Sequence, residues 1–331
     1  ITASGTSSSP IVFQKSDAGS NPVIQGTTGT VNPFIYGAQA DAVIKISGGD
    51  YITFDGINFT DNPSNTNNTL RMEYGILLVR RDVDTNACKF ITIKNCKIEL
   101  NKVNNFTIGI LSSNYLSSNL LQNISTVDSN KSVSNLYITS DTITNSYHGI
   151  VIHGLMPNGS NFDVYDYNLF IGTNGGNVIT GIGGGSHTTY GVDIRQADNF
   201  FISNNRISGG ALTAGSASIF GINTFPCYES DSEINNNNIS VGSNSESNSS
   251  SIYGIRSGAN GVVKIFENDV NNCFGNGSFS NPGILWGIYQ FASGTNRVEV
   301  FNNDVHNLSG AGVNFGVRGI QVNTLDADSI N

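Results

Sequence analysis

Eight times along the chain a residue, usually aromatic, is followed by glycine and then by Ile or Val. The copies are Tyr74-Gly75-Ile76, Ile108-Gly109-Ile110, His148-Gly149-Ile150, Tyr190-Gly191-Val192, Phe220-Gly221-Ile222, Tyr253-Gly254-Ile255, Trp286-Gly287-Ile288 and Phe315-Gly316-Val317. Their glycines stand roughly 29 to 42 residues apart, the spacing of a solenoid built from one supersecondary unit per repeat. A second motif keeps step with the first: an aliphatic, four residues, another aliphatic, and a small polar residue two places before the latter.

The leading aliphatics are Ile52, Ile93, Ile138, Ile202, Ile234, Ile265 and Val300, with Thr173 as the exception. Five places on stand Ile57, Ile98, Ile143, Val178, Ile207, Ile239, Val270 and Val305. Residues an even number apart share a face of a strand, so a separation of five points both columns inward only if the chain bends between them. Asp55, Cys96, Asp141, Gly176, Asn205, Asn237, Asn268 and Asn303 occupy the bend. Asn and Asp tolerate left-handed backbone and bond their own main chain, and four successive Asn at one phase predict a stacked amide ladder. Two short strands joined by a sharp corner at constant phase describe a parallel β-helix. The glycine motif supplies a third strand. Alternation from the inward aliphatic places Tyr190, Phe220, Tyr253, Trp286 and Phe315 in the core as a stack, with His148 as a core histidine in the same slot. An antiparallel sandwich also uses short strands and polar turns, but it does not explain equal phase in eight copies. No segment carries helical periodicity.

Charged residues are only 12% of the 331, and the net charge is -9. An acidic chain lacks the basic face a nucleic acid requires, and no apolar run is long enough for membrane insertion. Four cysteines, Cys88, Cys96, Cys227 and Cys273, form no metal-ligand spacing, which suits buried free thiols. Residues 1–26 read as the middle of a coil and not as a signal peptide, and residues 316–331 read as the start of a rung without the polar cap solenoids need. The expectation is one β-helix domain over residues 1–331 that is a piece of a longer chain.

These features resemble the right-handed parallel β-helix, or pectin-lyase-like, superfamily, as does the Asp55-Gly56-Ile57 corner. The resemblance implies an all-β, right-handed parallel β-helix solenoid of about nine to ten coils. The Asn/Ser/Thr/Gly-rich, charge-poor style is most like β-helical segments of large bacterial secreted or surface proteins, which implies adhesion or scaffolding more often than catalysis. Lyases of the superfamily pair Lys or Arg with calcium-binding carboxylates, and its hydrolases cluster Asp. Neither arrangement occurs here as a motif. The Asp pairs are Asp82/Asp84, Asp163/Asp166 and Asp326/Asp328, and none continues into a calcium loop. Asp82 and Asp84, beside Arg80 and Arg81, are the only site left open for Ca2+, the one cofactor considered.

Positions two and four past each motif glycine face outward. Early copies place Leu77, Val79, Leu111 and Val151 there, too apolar to stay bare, so the insertions at 62–73 and 113–134 are expected to cover them. Later copies place His153, Asp193, Arg195, Asn223, Phe225, Arg256, Tyr289, Phe291 and Arg318 there. Asp193, Arg195 and Arg256 are the candidate catalytic residues. Asn223, Phe225, Arg256, Tyr289, Phe291 and Arg318 are the candidate ligand-binding residues, for a polysaccharide or cell-surface glycan. The sequence is therefore read as an extracellular structural or adhesive segment, secreted or on a cell surface, without catalysis. A polysaccharide lyase, a glycoside hydrolase or a glycan-binding module on the later rungs is the alternative. Oligomeric state is not encoded in any motif.

Overall fold

The computed structural model describes residues 1–30, 41–123, 131–154, 165–185, 187–211, 218–243, 251–277, 283–292, 297–312 and 315–324; Asp163, Asp326 and Asp328 lie outside the described residues. The described chain is strand after strand, with one 3-10 turn at Asn68–Leu70. The strands form three parallel sheets of nine strands each, a right-handed parallel β-helix of about nine coils. Each rung gives one strand to each sheet. In the second rung these are Asp50–Asp55, Asn58–Thr60 and Tyr74–Arg80; in the fifth they are Asp166–Ile171, Val178–Ile182 and Thr189–Arg195. Ile219–Asn235 and Ser251–Phe266 run without a break from the third sheet of one rung into the first sheet of the next.

The aliphatic columns stack in register. Ile202, Ile234, Ile265 and Val300 are partners from rung to rung, as are Ile207, Ile239, Val270 and Val305. Two rungs differ from expectation, each in both columns. Phe54 and Phe59, not Ile52 and Ile57, pair with Ile93 and Ile98; both pairs are five apart with the same parity, so spacing cannot choose between them. Ile57 thus takes the corner, and Asp55 lies outside, paired with Lys94 at 3.1 Å. In the fifth rung the columns hold Ile171 and Ile179, and the corner residue is Asn177 rather than Gly176. Three extra residues at this corner, 173–175, break the five-residue phase.

The corner ladder is present and fully bonded. Asn177, Asn205, Asn237 and Asn268 each donate Nδ2–H to Oδ1 of the next rung's Asn at 2.9 Å. The same Nδ2 groups also donate to the carbonyls of Ile138, Ile171, Ile202 and Ile234. All four amides are buried, whereas Asn238 next to the ladder is exposed. The left-handed backbone sits one residue earlier, at Asn95, Ser140, Asn204, Asn236, Glu267 and Asn302, with φ between 52° and 62°. The bend is therefore made by the preceding residue, which leaves the ladder side chain free to point inward.

The aromatics before the motif glycine do not enter the core. Val192 and Ile194 are core residues, while Tyr190 bonds the outward Arg195. A Cβ on Gly191 would also face inward, 2.4 Å from Ile207 Cγ2 and 2.5 Å from the Gly221 carbonyl oxygen. Two consecutive inward positions shift the alternation by one residue, as a bulge does, and send the aromatic out. The last copy is also displaced. Arg318 pairs with Trp286 and Gly319 lies on Gly287, so the motif there is Arg318-Gly319-Ile320. Phe315 instead packs partly buried against the core, near Gly275 and Gly310. All four cysteines are free and buried, and burial pushes the thiols of Cys88, Cys96 and Cys227 up to about 12 and that of Cys273 up to about 11.

Candidate functional site

The outer face of the third sheet carries the candidate residues, stacked in columns set by strand register. One column runs Tyr74, Ile108, His148, Tyr190, Phe220, Tyr253, Trp286, Arg318. The next runs Leu77, Leu111, Val151, Asp193, Asn223, Arg256, Tyr289, Gln321. A third holds Ser113, His153 and Arg195. In the early rungs Tyr74, Leu77, Val79, Ile108, Leu111 and Val151 form a buried apolar cluster outside the sheet, against which Ala42 and Tyr115 pack. Tyr115 comes from the insertion at 113–134, as expected of a cover.

At the fifth rung the face becomes polar. Asp193 is 1% exposed, yet four donors converge on it. His153 Nε2 lies 3.0 Å from Oδ2, Arg195 Nη2 2.8 Å from Oδ2, Arg195 Nε 3.2 Å from Oδ1, and Asn223 Nδ2 2.6 Å from Oδ1. Burial alone would raise its pKa. The hydrogen bond and field of His153, the Arg195 charge and the Asn223 amide outweigh burial and hold the carboxyl below the usual aspartate value. Asp193 is thus a buried, saturated anion that organises its neighbours, with no free edge for a ligand. Arg195 also donates from Nη2 to Tyr190 Oη at 2.9 Å. His148, beneath Tyr190, is driven by burial down to about 3 and is neutral.

Two rungs further on, Arg256 lies among rings. Its guanidinium carbon is 4.7 Å from the Phe291 centroid, 5.0 Å from Phe225, 5.6 Å from Phe220 and 5.7 Å from Tyr253. Nη1 donates to Asn223 Oδ1 at 3.3 Å, and Nε is buried without a partner. Phe225 and Phe291 come from rungs on either side and meet over Gly258, their centroids 4.8 Å apart. A Cβ on Gly258 would stand 2.5 Å from Phe225 and 2.7 Å from Phe291, so only glycine lets the rings close. Tyr289 packs on Trp286 and Phe291 with centroids 5.2 Å apart in each case. Arg318 lies over Trp286 at 5.7 Å and donates to Gln321. The register thus unites Asp193, Arg195, Asn223, Arg256, Phe225, Tyr289, Phe291 and Arg318 on one face. Among the described residues neither Arg256 nor Arg318 meets a carboxylate.

Asp82 and Asp84 lie elsewhere. Asp82 accepts from Ser118 N and Oγ at 2.8 and 3.0 Å, and Asp84 pairs with Arg81 at 3.3 Å. Among the described residues no three His, Cys, Asp or Glu side chains gather as metal ligands, and no helix is long and apolar enough to cross a membrane.

The ring stack expected from the sequence is present, but it runs on the outer face and not in the core. Tyr190, Phe220, Tyr253 and Trp286 follow one another with centroids 5.0, 4.8 and 4.7 Å apart. Sequence reasoning missed a second amide stack on the first sheet, in which Asn199 donates to Asn168 and Asn168 to Asn135. The signal was available: each of these Asn stands three places before a column isoleucine.

No family model and no curated protein matches the chain. Among solved structures it is similar to the GH136 lacto-N-biosidase of Eubacterium ramulus, with TM-score 0.51, 12% identity, and 93% of this chain and 59% of that chain covered. The surface protein and adhesin PfbA of Streptococcus pneumoniae aligns with TM-score 0.37 and 12% identity over 85% of this chain and 64% of that one. The A-module of the Azotobacter vinelandii mannuronan C-5 epimerase AlgE4 aligns with TM-score 0.30 and 11% identity over 86% and 85%. The chain thus spans about three fifths of the lacto-N-biosidase's length. At 12% identity the likeness to the lacto-N-biosidase establishes the fold alone, a right-handed parallel β-helix.

Proposed function

We propose that this chain is a glycan-binding, adhesive β-helix segment of a secreted or surface protein, and that its ligand is an extended glycan carrying acidic groups. The reading rests on Arg256. A guanidinium half-buried among four rings has lost water and gained no anion, and a desolvated cation is costly until one is supplied. A ligand carboxylate or sulfate supplies it, in the paired geometry that suits guanidinium. The net charge of -9 opposes an acidic ligand in general. Locally, among the described residues, three arginines, Arg195, Arg256 and Arg318, share the outer face with Asp193, which Arg195 already neutralises. Tyr289 flanks the site with a partly exposed ring on which a sugar can stack, while the buried Asn223 holds Asp193 and Arg256 in place.

Binding to a panel of acidic and neutral polysaccharides, measured by thermophoresis at low and high salt, tests the reading. Acidic glycans should bind and weaken with salt, and Arg256→Ala should reduce their affinity about tenfold, the equivalent of about 1.4 kcal/mol. Binding unaffected by the substitution, or confined to neutral glycans, would overturn it. Asp193 is sealed by its donors, so reducing-end and unsaturated-product assays should register no turnover that depends on Asp193 or Arg195.

A further inference from the structure

The open face does not run the length of the solenoid. It ends at the fourth rung, where Val151 joins the buried apolar cluster and Tyr115 packs against it. At that end lies a cleft of about 180 Å³ lined by Ser113, Asn114, Tyr115, His153, Arg195 and Gln196. The cleft is smaller than the roughly 300 Å³ at which pockets for drug-sized ligands begin, a size that suits a single sugar ring. Its floor is rigid. Asn114 is buried, accepts two bonds from the buried Arg80 and donates to the His153 carbonyl oxygen and to Asp166. Its charges cancel, because Arg195 is paired with Asp193. The uncompensated cation, Arg256, lies two rungs beyond Asp193, roughly 9.5 Å away at the usual strand spacing.

We propose that this cleft receives the terminal sugar of the glycan, a neutral, hydroxyl-rich ring held by His153 and Arg195, while an acidic unit further along the same chain reaches Arg256. The site therefore reads chain ends, not chain interiors. The inference rests on the glycan-binding reading of the same face, but it can fail separately.

The test uses hyaluronan, unsulfated chondroitin and heparosan, which alternate neutral and acidic sugars, each supplied as hexasaccharide and as long polymer. At equal mass the hexasaccharides offer far more ends, so they should bind and the polymers should bind at least about tenfold more weakly per gram. Arg195→Ala should weaken the hexasaccharides by a similar factor. Tyr115→Ala, its fold checked by circular dichroism, should open the closed end and bring polymer binding toward that of the hexasaccharides. Equal binding per gram by the wild-type protein would overturn the end-reading site and leave the glycan-binding reading standing. Failure of both lengths to bind would overturn both.

Discussion

The two halves of the third sheet share one backbone, one register and one set of outward columns, but their outer faces are opposites. Rungs two to four place Leu77, Leu111 and Val151 in the column that holds Asp193, Asn223, Arg256 and Tyr289 in rungs five to eight. The first set is apolar and buried; in the second, Asp193 and Asn223 are buried polar groups, and Arg256 and Tyr289 are partly exposed. Buried acids divide by their partners, not by half. Burial raises Glu73, beside the second rung, and Asp166, in the fifth, to about 7. Asp193 is equally buried and is depressed. The difference lies in partners: Asp166 Oδ2 has none, whereas Asp193 Oδ1 accepts two hydrogen bonds and Oδ2 one, with Arg195 ion-paired beside it. Burial sets the cost of a charge, and the number of donors aimed at it sets the outcome.

The largest expected effect breaks the comparison at one column. Leu77→Ala removes a fully buried side chain and should cost about 2–5 kcal/mol. Tyr289→Ala, at the equivalent outward position in the open half, should cost about 1 kcal/mol or less. Thermal unfolding followed by circular dichroism compares them directly. Equal losses would mean that the late face is as closed as the early one.

The second effect concerns pH. Asp141 occupies a ladder position where later rungs have Asn; its Oδ1 accepts from Cys96 N at 2.7 Å and its Oδ2 is buried without a partner. Burial lifts its carboxyl to about 8. A raised carboxyl binds more protons folded than unfolded. Its contribution to stability is therefore complete below the unfolded value of about 3.9 and is lost as pH rises through about 8. Glu73 and Asp166 follow the same sign up to about 7. Asp193 has the opposite sign, and its contribution is lost only as pH falls below the usual aspartate range. Asp141→Asn restores the ladder donor and should stabilise by about 1–3 kcal/mol at pH 8 and by little near pH 4. Urea midpoints at the two pH values check this; an equal shift at both would remove the carboxyl from the explanation.

The sequence exposes the columns and the ladder because both are periodic and chemically uniform: Ile over Ile, Asn over Asn. It misplaces members where a second pair shares the same phase, as Phe54 and Phe59 do with Ile52 and Ile57, or where the corner lengthens at 173–175. The outward set two and four past glycine is legible because alternation holds on that side of the slip. The aromatics on the other side are misassigned because the slip occurs at the glycine itself, where no side chain marks it. Nothing in one-dimensional spacing shows that four donors saturate Asp193, since His153 and Asn223 reach it from neighbouring rungs 40 and 30 residues away.

The glycine column supplies a third contrast, between rung interior and last rung. Gly191→Ala would place a methyl against Ile207 and the Gly221 carbonyl, an overpacking that should cost about 1–3 kcal/mol. Gly319→Ala meets nothing within 4 Å and should change stability by about 0.5 kcal/mol or less. Matching losses would trace the motif glycine to backbone conformation instead of to close approach.

The smallest effect lies on the inner side of the same strands. The inward column facing the core runs Leu78, Ser112, Ile152, Ile194, Thr224, Ser257 and Gln290, so the inside also turns more polar toward the late rungs. Gln290 is 0% exposed, and neither atom of its amide has a hydrogen-bond partner. Such a group costs more than a hydrocarbon of the same length. Gln290→Met keeps the volume and removes both orphan atoms, so it should raise stability by about 1 kcal/mol or less, against the trend of core substitutions. The reverse change in the early half, Leu78→Gln, buries an amide where Leu78 now packs in the apolar core and should be destabilising. If Gln290→Met lowers the melting temperature instead, the amide is bonded in solution, and the late half owes its stability to an internal polar network where the early half relies on apolar packing alone.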